Sequence, residues 1–237
     1  MALRAKNGIP GNRLLQALSI GAYEQIAPHL EDSDLPRGAI LSQPEQQITR
    51  IHFPESGLVS VIAVYSDGNT IEMAAVGREG CIGLQGLLGG QLATARYIVQ
   101  VPGSIARINV GRLKAIMDAN QEIRTLLNCY VIGFLNQVMV SGACNGAHSL
   151  NERLARWLLT MHDREKTNDV NLTQEFLAEM LCVHRPTLTM ALRLFQTAGL
   201  VKLRRGGVTI VDRAALEEAT CECYWLIRRE HEKLAPY

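Results

Sequence analysis

The sequence is poor in several features that announce particular classes of protein. None of its six cysteines forms a C-x-x-C pair; Cys81, Cys129, Cys144, Cys182, Cys221 and Cys223 are scattered over 237 residues. That pattern predicts reduced thiols rather than a disulfide framework. No continuous apolar run approaches the roughly 18 residues that cross a bilayer, so no membrane partner is expected. The opening MALRAKNGIPGNRLLQAL lacks the apolar core and small-residue cleavage site of a secretory signal. These absences predict a cytoplasmic protein. Net charge is also scarce, at +1, so any nucleic-acid signal must be local. What is plentiful is apolar character: hydrophobic residues make up 47% of the chain, which excludes wholesale disorder and supplies a core.

Two patterns divide the chain. From about Leu35 to Asn109 it reads as short strands and turns. LVSVIAVY (Leu58–Tyr65) and TIEMAAV (Thr70–Val76) are rich in β-branched residues and flank Ser66-Asp67-Gly68-Asn69, a hairpin signal. Arg50–Phe53, Tyr97–Val101 and Ser104–Ile108 are further strand candidates, which together suggest a sandwich or small jelly roll. Ahead of them, Leu14–Leu18 and Tyr23–Leu30 look helical. From Gly111 to Ala147 there is no proline and helical spacing takes over. Leu127, Val131, Phe134, Val138 and Ser141 step by four, three, four and three, a heptad seam. Such a helix either pairs with its twin or packs on its own domain. Ser149-Leu150-Asn151-Glu152 is a capping box that opens the next helix and marks a domain boundary. KTNDVN, after that helix, reads as a polar loop.

Further on, Thr173 can cap the helix QEFLAEML, and Cys182-Val183-His184 turns into RPTLTMALRLFQTAG, with Pro186 in its first turn and Gly199 at its end. Leu177, Leu181, Leu188, Leu192 and Phe195 are placed to lock the two helices together. LVKLRRGGVTIV then forms two short strands. This layout is a winged helix-turn-helix. Between Glu179 and Asp212 there is no acidic residue, whereas the interval holds Arg185, Arg193, Lys202, Arg204 and Arg205. Five local positive charges on the second helix and wing form an electrostatic footprint for phosphates.

At this point the chain resembles the Crp–Fnr superfamily of bacterial transcription regulators, from about Leu14 to Leu234. LPRGAILSQPEQQITRIHFPESGLVSV resembles the family's opening strands, and the helix-turn-helix and wing resemble its signature. DRAALEEATCECYWLIRREHEKL resembles a carboxy-terminal helix found in a subgroup. The resemblance implies an α+β fold. It comprises an N-terminal antiparallel β-roll, jelly-roll-like and similar to a cyclic-nucleotide-binding domain, then a long dimerisation helix, then a C-terminal winged helix-turn-helix. The expected boundaries are 1–110 for the N-terminal helices and sensory roll, 111–148 for the dimerisation helix and hinge, and 149–237 for the DNA-binding domain. The implied partners are a near-palindromic operator in double-stranded DNA, a second copy of the chain and RNA polymerase.

The resemblance also suggests roles for residues. Arg185 matches the arginine that reads a guanine, whose two major-groove acceptors suit a guanidinium fork. Thr173 and His184 match backbone-contacting positions. Thr187, Thr189 and Met190 lie on the same helical region, and Arg204, with Arg205 beside it, matches a wing position near the backbone. Many relatives carry glutamate where this chain has Pro186 and arginine where it has Met190. The expected operator therefore differs from the usual TGTGA or TTGAT half-sites. Leu127, Val131, Phe134 and Val138 are the expected dimer contacts.

The stretch GREGCIGLQGLLGGQLATAR resembles the family's phosphate cassette in position but not in content. Gly83 is in place, but the ribose-binding glutamate position falls on Leu84 and the phosphate-binding arginine position on Ala93, followed by Thr94. Val138 and Met139 are apolar where base-contacting hydroxyls belong. A buried phosphate without a cation is costly. Arg96 could substitute, or it could face solvent. Cyclic AMP is therefore not expected as effector, the effector is unknown, and no cofactor is assigned.

Oxygen-sensing relatives hold an iron–sulfur centre with an amino-terminal cysteine cluster, but no cysteine precedes Cys81. Cys221 and Cys223, on an expected helix, point about 200° apart, which argues against a shared metal and for inert thiols. Cys81 or Cys144 remains open as a redox switch. His29 and His52 are lone candidates for a haem ligand. A jelly-roll metalloenzyme needs clustered histidines and carboxylates, and His52 stands alone in the strand region, so no catalytic or metal residue is assigned. Gly142, Gly146 and the segment around His148 are candidate hinge positions.

Overall fold

A computed structural model describes residues 10–68, 70–165 and 167–234. In the first half, α1 (Arg13–Gln16) and α2 (Ile20–Ile26) precede β1 (Glu31–Leu35), β2 (Ile40–Ser42), β3 (Arg50–Pro54), β4 (Leu58–Val64) and β5 (Thr70–Val76). A short helix α3 (Leu84–Leu87) leads to β6 (Arg96–Val101) and β7 (Gly103–Asn109). Then come α4 (Val110–Ala119), the 27-residue α5 (Gln121–Ala147) and α6 (Leu150–Glu165). The C-terminal part continues with β8 (Asp169–Val170), α7 (Gln174–Met180), α8 (Arg185–Thr197), β9 (Val201–Arg204), β10 (Gly207–Ile210), α9 (Arg213–Glu218) and α10 (Cys223–Leu234).

By its contacts the chain separates into two compact units, one built chiefly from the residues up to Ile62 with Ala74–Leu135, the other from Ala63–Met73 with Asn136–Glu230. β7 lies between β1 and β3, and a four-stranded sheet runs β2-β6-β4-β5. The described pairings of β1 with β7, β3 with β7, β2 with β6 and β4 with β6 are antiparallel, and each joins strands that are not consecutive in the chain. Alternation puts Ile51 and Phe53 of β3 inside. They join Leu14, Leu15, Ile26, Ile108, Leu113 and Ile123 in one apolar core. The hairpin turn expected at residues 66–69 is described through Gly68, with Asn69 outside the described residues. Residues 1–9, where the signal reading began, also lie outside them.

The capping box forms as expected. Glu152 Oε2 accepts from Ser149 N at 2.8 Å and from its hydroxyl at 2.7 Å, which holds the Glu152 carboxyl below its usual pKa. The segment KTNDVN is not wholly loop: Asp169–Val170 forms β8, which pairs with β10, while Lys166 lies outside the described residues. A two-residue strand is too short to show a periodicity.

One expectation is corrected. α5 is long and apolar enough to cross a membrane, with mean hydropathy 1.3 over its best window. Asn128, Asn136, Gln137 and Asn145 interrupt the apolar run, but no charge lies between Arg124 and Ala147, so the average stays high. The helix instead devotes one face to its own core: Ile123, Leu127 and Tyr130 are buried in the first unit.

Candidate functional site

The helix-turn-helix is assembled by packing and capping. Thr173 Oγ1 accepts from Phe176 N at 3.2 Å and opens α7. Leu177, Leu181, Leu188, Leu192 and Phe195 are all buried, fixing α7 against α8. Pro186 sits in the first turn of α8, where its missing N–H breaks no helical bond. His184 occupies the cap position without a side-chain cap bond and is exposed.

The outward face of α8 carries Arg185, Pro186, Thr187, Met190, Arg193 and Leu194, all exposed. Met190 is 68% exposed and Leu194 59%. Leu194 was not singled out from sequence, although its four-residue offset from Met190 puts it on the same face. Thr189 is turned away from this face. Its hydroxyl lies 2.8 Å from Gln174 Oε1 and 2.9 Å from the Arg185 carbonyl oxygen, so it bridges α8 to α7 instead of awaiting a base or phosphate.

The acid-free interval of the sequence is not acid-free in space. Glu175, from α7, forms an ion pair with Arg185. In the wing, Arg204 Nη2 donates to Asn171 Oδ1 at 2.6 Å and its Nε lies 3.5 Å from Asp169 Oδ1. Arg204 therefore braces β9 against the segment around β8. Arg193, Lys202 and Arg205 are exposed and form no ion pair among the described residues, Arg205 in the turn between β9 and β10.

In the cassette, Leu84 and Ala93 are buried, 5% and 2% exposed. Strand alternation in β6 buries Tyr97 and turns Arg96 outward, where its Nε donates to Gln43 Oε1 at 2.9 Å. Thr94 is exposed. Tyr97 donates its hydroxyl to Gln85 Oε1 at 2.8 Å across the pocket. Ile82, Gly83, Leu84, Gln85, Tyr97 and Phe134 line a space of about 10 Å³, roughly that of one water. The glycines here serve packing. A Cβ on Gly80 would lie 2.5 Å from the Tyr130 ring carbon Cζ, and Gly83 has φ +93° with a Cβ position 2.7 Å from the Arg50 carbonyl oxygen. α3, with four residues, is too short to gather a set of free amides for a phosphate.

The heptad residues of α5 do not form a free seam. Leu127 is buried in the core, and Val131 and Phe134 pack against it. Val138 is half-buried. The exposed apolar stripe is one position further round, at Ile132 (60% exposed), Leu135 (54%) and Met139 (55%), continued by Gly142 and Gly146. Both stripes have heptad spacing, so periodicity alone does not tell which one faces the β-roll. The helix runs unbroken through Gly142 and Gly146.

Burial pushes the Cys81 thiol pKa well up, so it is a protonated core residue. His29 is exposed at the end of a 3-10 turn. His52 is mostly buried, its Nδ1 has no hydrogen-bond partner among the described residues, and burial, then Arg107 and Arg50, push its pKa down to about 4. The reading of the C-terminal cysteines is corrected. Cys221 precedes α10 instead of lying on it, so the helical 200° does not apply, and Cys221 and Cys223 converge with Cys144 and His148.

The sequence matches the cyclic nucleotide-binding domain over residues 33–120 and the Crp-like helix-turn-helix domain over residues 152–219, together about two thirds of the chain. No curated protein matches it. Among solved structures it is similar to FixK2 from Bradyrhizobium japonicum (15% identity, 81% of this chain and 98% of that one, TM-score 0.71). It is similar also to the c-di-GMP-responsive global regulator CLP from Xanthomonas campestris (16%, 82% and 100%, TM-score 0.69). A third is a CRP-family transcriptional regulator from Thermus thermophilus (19%, 79% and 95%, TM-score 0.68). At these identities the structures speak for the fold. With both domain matches falling in order on the roll and the helix-turn-helix described above, the chain belongs to the Crp–Fnr family of transcription regulators.

Proposed function

We propose that the protein is a homodimeric, sequence-specific DNA-binding regulator that does not need cyclic AMP. The observation that carries the DNA-binding surface is the exposed face of α8 and its wing, with Arg185, Arg193, Lys202 and Arg205 outward. Arg185 heads α8, where a guanidinium fork meets a guanine edge, while Lys202 and Arg205 meet phosphates. Met190 and Leu194 offer apolar contact to thymine methyl groups. Thr173, His184 and Thr187 lie at exposed positions suited to backbone contacts.

Residues 111–148 serve as dimerisation helix and hinge, with Ile132, Leu135 and Met139 meeting their counterparts on a second copy. An apolar stripe at heptad spacing on a long helix is what a parallel helix pair buries. Two copies then present two α8 helices to a near-palindromic operator. DNA and RNA polymerase, the expected partners, place the protein in the cytoplasm.

Independence from cyclic AMP rests on the filled cassette. A ligand of nucleotide size needs hundreds of Å³, and the pocket has neither that space nor a cation facing it. Selection from random double-stranded DNA, run with and without cyclic nucleotides, tests this reading. A palindromic site distinct from TGTGA and TTGAT is expected in both conditions. Failure of any sequence to outcompete random DNA would sink it.

A further inference from the structure

We propose that Cys144, His148, Cys221 and Cys223 form a mononuclear metal site for a soft divalent cation, zinc first. The cluster draws three of the six cysteines together from the end of α5 and from the turn entering α10. Among the described residues no other group of three or more cysteine, histidine and acidic side chains converges in this way. All four donor atoms lie within 4.8 Å of one another. Cys144, Cys221 and Cys223 are buried, and His148 is half-buried.

Two of the donor separations match the edges of a single tetrahedral ion. Metal–sulfur bonds of about 2.3 Å and metal–nitrogen bonds of about 2.0–2.1 Å give sulfur–sulfur edges of about 3.8 Å and sulfur–nitrogen edges of about 3.6 Å. Cys144 Sγ and Cys221 Sγ are 3.6 Å apart, and Cys223 Sγ and His148 Nδ1 are 3.7 Å apart. A disulfide would require about 2.05 Å. An iron–sulfur cluster divides its four ligands among two or more iron atoms and so spreads the set more widely.

The local chain explains how the donors meet. Cys144 and His148 are four residues apart, with His148 N donating to the Cys144 carbonyl at 3.1 Å, so both side chains share one face. Cys221 lies before α10 and Cys223 begins it, which frees their directions from helical geometry. Between them, Glu222 Oε2 lies 3.3 Å from His148 Nε2. A carboxylate accepting the Nε2 proton leaves the Nδ1 lone pair facing the sulfurs, the arrangement that orients metal-bound histidines. Binding expels three thiol protons to solvent, so three thiolates and a neutral imidazole hold the dication at net charge −1. Four protein donors leave no open position, which makes the site structural: the ion ties the end of α5 to the start of α10.

The test uses the full-length protein, purified under reductant without chelator. Elemental analysis is expected to find one zinc per chain. Exchange with Co²⁺ is expected to give intense visible bands of tetrahedral cobalt and a thiolate charge-transfer band. Cys221→Ser and His148→Ala should lose the ion or weaken those bands, whereas Cys129→Ser, at an exposed position of α5, should not. Because ligand variants can misfold, Glu222→Gln provides a milder probe: all four ligands remain and affinity should fall about 10- to 100-fold. Co²⁺ that fails to bind the reduced wild type, binds without a thiolate band, or binds Cys221→Ser unchanged overturns the site.

Discussion

Arg185 at the head of α8 is held in an ion pair by Glu175 of the preceding helix. Both side chains are more than half exposed, so the pair contributes little to stability, about 0–1 kcal/mol. Its consequence lies in binding, because Glu175 competes with DNA for the same guanidinium. Glu175→Gln is expected to raise operator affinity about two- to tenfold, by releasing Arg185 and removing a like charge from the phosphates. Arg185→Ala should lose at least about tenfold, since each guanine contact discriminates by about 1–3 kcal/mol. Fluorescence anisotropy on the selected operator reads both, and equal affinities for the three proteins would refute the placement of α8.

The stripe on α5 separates dimerisation from folding. Leu135→Glu alters an exposed residue, so the chain should remain folded with little change in Tm. If the proposed dimer forms through this stripe, light scattering should report a monomer for Leu135→Glu and a dimer for the wild type. A persistent Leu135→Glu dimer would place the interface elsewhere. Leu127→Ala, by contrast, opens the core and should destabilise by about 2–5 kcal/mol.

His52 sets a pH dependence of a definite sign. Its folded pKa of about 4 lies below the ordinary 6.5, so between these values the unfolded chain binds more protons. Its contribution is fully present above pH 6.5 and is lost as pH falls toward 4. Between about pH 7.5 and about pH 5 this amounts to about 2 kcal/mol. Urea unfolding should show that loss in the wild type and less of it in His52→Gln; parallel pH profiles would contradict it.

Cys182 turns the chain between α7 and α8 with φ +51°, a left-handed conformation that a side chain disfavours. Cys182→Gly relieves that cost but enlarges the freedom of the unfolded chain, a net gain of about 0.5–1 kcal/mol. Thermal unfolding should show a Tm a few degrees higher. An unchanged or lower Tm would mean that the exposed thiol makes a favourable contact offsetting the strain.

Where side chains repeat with a period or cap a terminus, the sequence was legible. The capping box at Ser149, the cap at Thr173, the strands from Arg50 to Ile108 and the leucines joining α7 to α8 all rest on local rules, and each forms. Long-range choices were not legible. Leu127-Val131-Phe134 and Ile132-Leu135-Met139 share one spacing, and only packing decides which stripe faces the roll. Counting charges along the chain missed Glu175 and Asp169, which reach Arg185 and Arg204 from neighbouring elements. The convergence of Cys144 with Cys221 spans 77 residues, and it depends on Cys221 lying outside α10, a boundary that residue periodicity does not mark.

The central claim is sequence-specific DNA binding that cyclic AMP does not control, and operator affinity measured with and without the nucleotide tests it most directly. The account predicts tight binding of the selected palindrome in both cases, with affinities equal within about twofold, because Leu84, Ala93 and Tyr97 are buried and the space beside Leu84 and Tyr97 is only about 10 Å³. A many-fold gain in affinity on adding cyclic AMP would contradict it.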